Sequence, residues 1–278
     1  MGLAFERVGS GPPLVLLHGI GHHRQAWNAV TGLLAPSREL ILVDLPGHGE
    51  SPPLRLDGRP PVEALAAEVA AFLDSQGLDR PHVAGNSLGG VLALILAAHG
   101  RAASATGLSP AGFWRRGADF RRAKAIFTVM QAASAGVHPV AAGLTRSRAG
   151  RAFMYAAIVA KPSQLSPEQA RADADAFRTA RVTMKEILDV PVSFTLDIPD
   201  DVPVTIAWGT HDRLLPAGQA DVARQRLPQA RFVLLPGCGH VPMTDDPALV
   251  ARVLLEGSTV PAPAPARATA TAEGATGG

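Results

Sequence analysis

Short apolar runs that end in turns alternate with stretches of helical length through the N-terminal part of the chain. The apolar runs have the length of strands buried on both faces, and they lie at residues 14–17, 40–43, 82–84 and 105–108. The helical stretches between them are residues 25–34, 62–76 and 88–99. Because neighbouring parallel strands need a helical crossover, this alternation predicts an α/β fold with a doubly wound, mostly parallel sheet.

The strand pattern stops after Pro110 and returns only at residues 204–208. The segment between is rich in Ala, Arg and Met and indicates several helices. One helix start is marked by an N-cap, a first-turn proline and a capping-box partner, which are Ser166, Pro167 and Gln169. The sequence therefore predicts a helical insertion at residues 110–198 within a core of residues 1–109 and 199–257.

The second part of this core resumes the alternation of strands and helices. The expected elements are residues 204–208, 217–227, 232–235 and 247–255. Residues 258–278 contain mainly Ala, Pro, Thr and Gly, which cannot build a packed core. We predict that these last residues form a disordered tail.

The pentapeptide Gly85-Asn86-Ser87-Leu88-Gly89 lies between a predicted strand and a predicted helix. A serine held on a sharp strand-to-helix turn leaves little room for side chains two residues away on either side. Glycines at these positions are therefore typical of a nucleophile elbow, and Ser87 is the candidate nucleophile. For this motif alone, a glycine-rich turn with an incidental serine is the alternative.

A serine attacks only when a neighbouring base removes its proton, so a histidine has to reach Ser87. His240 follows the last predicted strand, and Asp212 follows the strand at residues 204–208. The chain order of serine, acid and histidine matches that of enzymes with the G-x-S-x-G motif. We predict His240 as the general base and Asp212 as the acid that orients it. A loop histidine and a turn carboxylate are the alternatives for each residue taken alone.

A developing oxyanion needs backbone donors that are already in place. The N–H of Leu88 at the predicted helix start is one candidate. The second candidate is the N–H of Ile20, in the turn His18-Gly19-Ile20-Gly21 that follows the first buried strand. We predict that these two amides form the oxyanion hole, with an ordinary glycine turn as the alternative.

Charge and apolar content limit the kinds of partner and the location that we expect for the chain. The formal net charge is +2 and the arginines are scattered, so we expect no nucleic-acid partner. No apolar run approaches the roughly 20 residues that span a bilayer, and Glu6 and Arg7 stand where a secretion signal is apolar. The single cysteine, Cys238, excludes an internal disulfide. We expect a cytoplasmic protein with a small-molecule substrate, and its oligomeric state is open.

Taken together, these motifs resemble the α/β-hydrolase family, in its serine hydrolase subgroup with a helical lid after strand six. The resemblance covers about residues 12–256 and rests on five signals in the family's order: Leu17-His18-Gly19, residues 44–51, the elbow, residues 208–212, and Gly239-His240. It implies that residues 110–198 form a lid and that the substrate pocket lies between lid and core. The candidate pocket residues are His18, Gly19, Trp27, Phe113, Trp114 and Val241, with His22 and His23 at the mouth.

The chain also departs from several branches of this family. Dehalogenases and epoxide hydrolases attack with an aspartate at the elbow, where this chain has Ser87. Carbon–carbon bond hydrolases usually place tryptophan after the catalytic histidine, where this chain has Val241. One strand, expected at residues 4–8, precedes the first buried strand, so the usual opening hairpin is expected to be shortened.

The resemblance implies two-step hydrolysis of a small-molecule carboxylic ester through an acyl-enzyme, with no metal and no cofactor. Three alternatives keep the same triad for carbon–carbon bond hydrolysis, thioester release or a cyclisation in a biosynthetic pathway. A further alternative is a receptor that retains the triad to hold a small ligand. The identity and chain length of the substrate are not readable from the sequence.

Overall fold

One seven-stranded sheet forms the centre of the computed structural model, which describes residues 2–137 and 141–259. The strands lie in the order β1-β3-β2-β4-β5-β6-β7. Strand β1 pairs antiparallel with β3, and every other neighbouring pair is parallel. This confirms the α/β fold with a mostly parallel sheet. The strands are β1 (Phe5–Val8), β2 (Pro13–Leu17), β3 (Glu39–Val43), β4 (His82–Asn86), β5 (Ser104–Leu108), β6 (Val204–Gly209) and β7 (Arg231–Leu235).

Alternate side chains of the central strands enter two separate apolar layers, because successive residues of a strand point to opposite faces. In β2, Leu14 and Leu16 pack in the layer that also holds helices α1 (Asn28–Leu34) and α11 (Pro247–Gly257). Val15 and Leu17 pack in the other layer, with helices α2 (Pro61–Ser75) and α3 (Leu88–Ala98). Burial on both faces explains why the sequence shows continuous apolar runs instead of alternation.

The predicted helix at residues 25–34 is divided in the structure. A 3₁₀ turn, Arg24–Trp27, precedes α1. The backbone N–H of Arg24 donates to Asp44 Oδ1 at 2.7 Å, which fixes the start of this turn against the end of β3. This contact joins residues that are not neighbours in the chain, so it leaves no trace in the local helical pattern. The 3₁₀ turn was therefore not predicted.

In the described part of the segment between β5 and β6 there are five α-helices: α4 (Gly117–Val137), α5 (Ala141–Arg146), α6 (Arg148–Tyr155), α7 (Pro167–Thr179) and α8 (Arg181–Asp189). Helix α7 begins as expected, with the Ser166 hydroxyl accepting the N–H of Gln169 at 3.0 Å. Within the described residues the insertion follows the fifth strand and not a sixth, because β1 is the one strand before β2, as expected.

The C-terminal part of the core contains α9 (Gln219–Arg226), α10 (Pro242–Asp245) and α11. The predicted tail starts at Ser258, yet this residue is 2% exposed and its hydroxyl accepts a 3.0 Å hydrogen bond from Arg38 Nε. The anchored chain thus extends past the predicted boundary, and residues 260–278 lie outside the described residues. Among the helices of the described ranges, none has the length and apolar character to cross a membrane.

Candidate active site

The predicted site residues follow four parallel strands. Ser87 follows β4, Asp212 follows β6, His240 follows β7, and the turn with Ile20 follows β2. Parallel strands place their carboxyl ends at one edge of a sheet, so all four segments emerge on the same side of this molecule.

The backbone of Ser87 adopts a left-handed conformation, with φ = +55° and ψ = −112°. A non-glycine residue with positive φ is strained, and such strain concentrates at functional sites. The flanking glycines allow the turn to close. A Cβ atom on Gly85 would lie 2.1 Å from the carbonyl carbon of Gly89, and a Cβ on Gly89 would lie 2.0 Å from Leu17 O. The segment therefore has the geometry of a nucleophile elbow.

His240 and Asp212 form a buried hydrogen-bonded pair. His240 Nδ1 lies 2.8 Å from Asp212 Oδ2, and their side chains are 4% and 0% exposed. The other carboxylate oxygen, Oδ1, accepts the N–H groups of Leu214 at 2.9 Å and Leu215 at 2.7 Å. Asp212 is thus held from behind by two backbone amides. The imidazole then carries its proton on Nδ1 and presents Nε2 as a base.

The histidine loop is connected directly to the elbow. Asn86, the residue before Ser87, donates its side-chain amide to His240 O at 2.8 Å and to Leu108 O at 3.0 Å. Ser87 and His240 line the same cavity. Sequence reasoning used Asn86 only as a spacer in the G-x-S-x-G motif, because the motif leaves that position free.

A second connection to the histidine loop comes from Asp245, which is 3% exposed. Its carboxylate accepts the N–H of Gly239 at 2.8 Å, of Ala160 at 3.1 Å and of Lys161 at 2.6 Å. These bonds tie the loop before His240 to the segment after α6. Asp245 therefore acts on the backbone beside His240.

The turn after β2 packs directly on the nucleophile. A Cβ atom on Gly19 would lie 3.4 Å from Ser87 Cβ. Gly19 O faces His18 Nδ1 at 2.8 Å and accepts the N–H of His22 at 3.2 Å. The N–H of Ile20 lies on the opposite side of the same planar peptide and is therefore directed away from these partners. Among the described residues, neither the Ile20 N–H nor the Leu88 N–H makes a hydrogen bond, so both amides are free to serve an oxyanion.

His18 orients this turn through hydrogen bonds of its two ring nitrogens. Its Nε2 accepts the N–H of Leu45 at 3.0 Å, so the ring proton is on Nδ1 and is donated to Gly19 O. Burial, together with the nearby His48, lowers the pKa of His18 well below its ordinary value. The ring is neutral at neutral pH, as this bonding pattern requires.

Ser87 lies at the wall of a cavity of about 240 Å³ that is bounded by the sheet edge and by helices of the insertion. The sheet edge contributes the turn at Gly19, the elbow, His240 and Val241 to the lining. Helices α4, α6 and α7 contribute a mainly apolar wall, whose residues include Phe127, Met130, Phe153, Met154, Tyr155 and Phe177. The polar residues of this wall include Ser134 of α4 and Asp173, Asp175 and Arg178 of α7, and His22 lines the cavity from the turn after β2.

Of the six candidate pocket residues, Gly19 and Val241 line this cavity. His18 does not, because its ring lies behind the turn. His22 also lines the cavity, whereas His23 is 7% exposed and turned towards α7, where its Nε2 lies 3.0 Å from Asp173 Oδ1.

The three large aromatic candidates lie outside the cavity. Trp27 has no exposed surface and packs in the apolar layer of α1 and α11. Phe113 is 1% exposed and packs against Phe194. Trp114 donates its indole N–H to the carbonyl of Val192. Large apolar rings gain most from complete burial, and the local sequence pattern does not separate that role from pocket lining.

Comparison with known proteins identifies relatives over most of the chain. The alpha/beta hydrolase family matches residues 14–253. The chain is 30% identical over 275 residues to the pimeloyl-(acyl-carrier protein) methyl ester esterase of Aeromonas hydrophila, covering 91% of this chain and 98% of the relative. It is 28% identical over 250 residues to Lipase 1 of Psychrobacter immobilis, covering 85% and 74%.

Solved structures show the same fold. A putative lipase from Acinetobacter baumannii superposes with a TM-score of 0.73 at 23% identity, covering 91% of this chain and 86% of that chain. A thermophilic esterase from Thermogutta terrifontis superposes with a TM-score of 0.68 at 22% identity, covering 91% and 92%. The family match over residues 14–253, together with the 30% identity to the methyl ester esterase, shows that the chain belongs to the α/β-hydrolase family.

Proposed function

We propose that this protein hydrolyses carboxylic esters with Ser87 as nucleophile, His240 as general base and Asp212 as the orienting acid. One observation carries the proposal: the buried His240–Asp212 hydrogen bond of 2.8 Å lies at the cavity that the strained Ser87 also lines. A weak nucleophile, its base and the group that orients the base are the three parts that acyl transfer requires.

The first half-reaction forms an acyl-enzyme. Ser87 Oγ attacks the ester carbonyl carbon while its proton passes to His240 Nε2. The carbonyl oxygen becomes an oxyanion that accepts the N–H groups of Ile20 and Leu88. The carbon–oxygen bond to the alcohol then breaks, and the leaving alkoxide takes the proton from His240. Asp212 stabilises the imidazolium that exists between these two proton transfers.

The second half-reaction releases the acid. Water attacks the acyl carbonyl and gives a proton to His240 Nε2, and the same two amides hold the oxyanion. Ser87 Oγ then leaves with that proton. The acid product and the free serine complete the cycle with atoms and charges balanced.

We further propose that residues 110–198 act as a lid over a core of residues 1–109 and 199–257. Helices α4, α6 and α7 supply the apolar wall opposite Ser87, which suits an apolar part of the ester. Relatives named as a lipase and as a methyl ester esterase support ester hydrolysis as the reaction.

The test is hydrolysis of para-nitrophenyl esters of increasing acyl length by the wild type and by Ser87→Ala. We expect the variant to lose at least about a thousandfold in kcat/KM, because the covalent route is removed. Ser75→Ala is the matched control, since its hydroxyl bonds only local partners, donating to Phe72 O on α2 and accepting from the Gln76 side chain. A fluorophosphonate should label the wild type and the control but not Ser87→Ala. Ester turnover that survives in Ser87→Ala, or labelling of the wild type without turnover of any ester, would contradict the proposal.

A further inference from the structure

Two adjacent histidines of the oxyanion turn meet an aspartate of the insertion at the cavity wall. The rings of His22 and His23 stack with centroids 5.4 Å apart. Asp173 Oδ1 lies 3.0 Å from His23 Nε2 and 3.9 Å from His22 Nε2. The Asp173 side chain is 9% exposed, and the side chains of His22 and His23 are 14% and 9% exposed. Asp173 and His22 line the cavity.

The hydrogen bonds of His23 require both of its ring protons. Gln25 donates its side-chain N–H to Glu6 at 3.1 Å, so its carbonyl oxygen faces His23 Nδ1 and accepts from it. His23 Nε2 faces a carboxylate oxygen, which also only accepts. His23 therefore donates from both nitrogens as an imidazolium. The bonds to Asp173 and Gln25 outweigh burial and raise its pKa.

His22 has the opposite arrangement. Its Nδ1 accepts the backbone N–H of His23 at 3.1 Å, so its proton is on Nε2, directed to the side on which Asp173 lies. Burial lowers the pKa of His22, which keeps the ring neutral. In this tautomer His22 Nε2 is a hydrogen-bond donor.

Asp173 keeps one oxygen available. Its Oδ1 accepts from His23 and, at 2.6 Å, from the side-chain amide of Gln169. Within the described residues, Oδ2 has no hydrogen-bond partner, and neither has His22 Nε2. The cavity wall thus contains one acceptor and one donor beside each other in a mainly apolar lining, in which Asp175 and Arg178 of α7 are further charged residues.

We propose that Asp173 and His22 recognise a hydroxyl group on the substrate, at a distance from the ester carbonyl. This inference rests on the proposed ester hydrolysis and adds a substrate class to it. The hydroxyl donates its proton to Asp173 Oδ2 and accepts the N–H of His22 Nε2. The substrate class is therefore hydroxylated esters, such as ω-hydroxyacyl esters.

The acceptor Asp173 Oδ2 and the donor His22 Nε2–H together disfavour other polar groups of a substrate at this position. An ammonium group can donate to Asp173 but has no lone pair for His22 Nε2–H, and a carboxylate is repelled by Asp173. An alkyl chain leaves Asp173 Oδ2 and His22 Nε2 unpaired at a mainly apolar wall, which is the arrangement that discriminates most strongly against an analogue without the hydroxyl.

The experiment compares ω-hydroxyacyl and matched alkanoyl para-nitrophenyl esters of increasing length. We expect the wild type to favour the hydroxylated ester by about tenfold to a hundredfold in kcat/KM at one chain length. His22→Phe removes the donor and keeps a ring. In Asp173→Asn, His23 and Gln169 retain the side-chain oxygen, so an NH2 group faces the cavity and the hydroxyl loses its acceptor. Both variants should reduce the preference to about onefold.

The controls are His99→Phe and Asp189→Asn, which make the same substitutions at exposed positions outside this cavity. They should keep the wild-type preference. A wild type without preference at any chain length, or a preference that survives both cavity variants, would overturn the inference while ester hydrolysis stands.

A binding measurement separates this inference from the proposed reaction. Calorimetric titration of Ser87→Ala with the same ester pairs needs no turnover. Tighter binding of the hydroxylated ester, lost when His22→Phe is added, supports recognition of the hydroxyl even if no ester is hydrolysed. Equal affinity for the two esters overturns it.

Discussion

The side-chain amide of Asn86 donates a 2.8 Å hydrogen bond to the backbone carbonyl of His240. The same NH2 group donates to Leu108 O at 3.0 Å, so one buried side chain connects the ends of β4 and β5 with the loop after β7. Its neighbour in the chain is Ser87. The position of His240 is therefore fixed relative to Ser87 through one amide group, in addition to the bond between His240 and Asp212.

Asn86→Asp tests this connection with almost no change of volume. The carboxylate cannot donate, and its charge would lie against two carbonyl oxygens. We expect kcat to fall by about tenfold to a hundredfold with a smaller change in KM, because the histidine is displaced while the cavity wall is kept. The measurement is the kcat and KM of ester hydrolysis, with the exposed Asn28→Asp as the control. An unchanged kcat in a folded Asn86→Asp variant would show that the bond does not position His240.

Asp212→Asn is expected to change the tautomer of His240. Because the N–H groups of Leu214 and Leu215 hold Oδ1, the asparagine oxygen stays there and its NH2 group replaces Oδ2. His240 Nδ1 must then accept, which places the proton on Nε2, where it cannot receive the proton of Ser87. We expect kcat to fall about a thousandfold to ten thousandfold. Asp221→Asn, at an exposed surface position, should retain activity, and comparable rates for the two variants would argue against a triad.

The sheet and the chain order of the site residues were predictable because both depend on local sequence. Apolar runs such as residues 14–17 gave the strands, and the turns after β4, β6 and β7 gave Ser87, Asp212 and His240. A parallel sheet then brings these turns to one edge whatever the detail of packing. The resemblance to a family supplied the expectation of an insertion that covers this edge.

The opposite wall of the cavity was not predictable, because it depends on which face of each inserted helix turns inward. Asp173 lies in a polar stretch of α7 that the sequence presents as an exposed helix face. It is buried because it meets His23, which is 150 residues away in the chain. Trp27 shows the reverse case: an aromatic residue near the turn after β2 is buried entirely in packing.

Gly89→Ala should destabilise the protein severely. The added Cβ would lie 2.0 Å from Leu17 O and 2.6 Å from His18 O, and neither backbone atom can move without displacing β2 or the turn after it. We expect the free energy of unfolding to fall by about 3 kcal/mol or more, or the protein not to fold. Urea denaturation followed by circular dichroism measures this.

Gly32→Ala is the matched control for that substitution. Gly32 lies within α1, and a Cβ there meets no heavy atom within 4 Å. Alanine favours a helix over glycine, so we expect this variant to gain roughly 0.5–1 kcal/mol. Equal stability of the two variants would contradict the steric account of the elbow.

His23 gives the stability of the protein a pH dependence of defined sign. Its pKa is raised in the folded protein, as the bonds to Asp173 and Gln25 outweigh burial, with Asp44 adding to the effect. A raised pKa contributes stability that is fully present below the unfolded value of 6.5 and is lost as pH rises through the folded value. His18 and His48 act in the opposite direction: burial lowers both pKa values, that of His48 to about 4, so they cost stability as pH falls below 6.5.

Comparison of the wild type with His23→Gln isolates the contribution of His23, because the lowered histidines are common to both proteins. Glutamine keeps a neutral donor for Asp173 but cannot carry the charge. We expect the stability advantage of the wild type over the variant to be larger at about pH 6 than at about pH 9, by on the order of 1 kcal/mol. The reason is that the imidazolium is lost above its raised pKa. Urea denaturation of both proteins at the two pH values measures the difference. A stability gap that is constant with pH, or wider at the alkaline value, would mean that His23 is not an imidazolium in the folded protein.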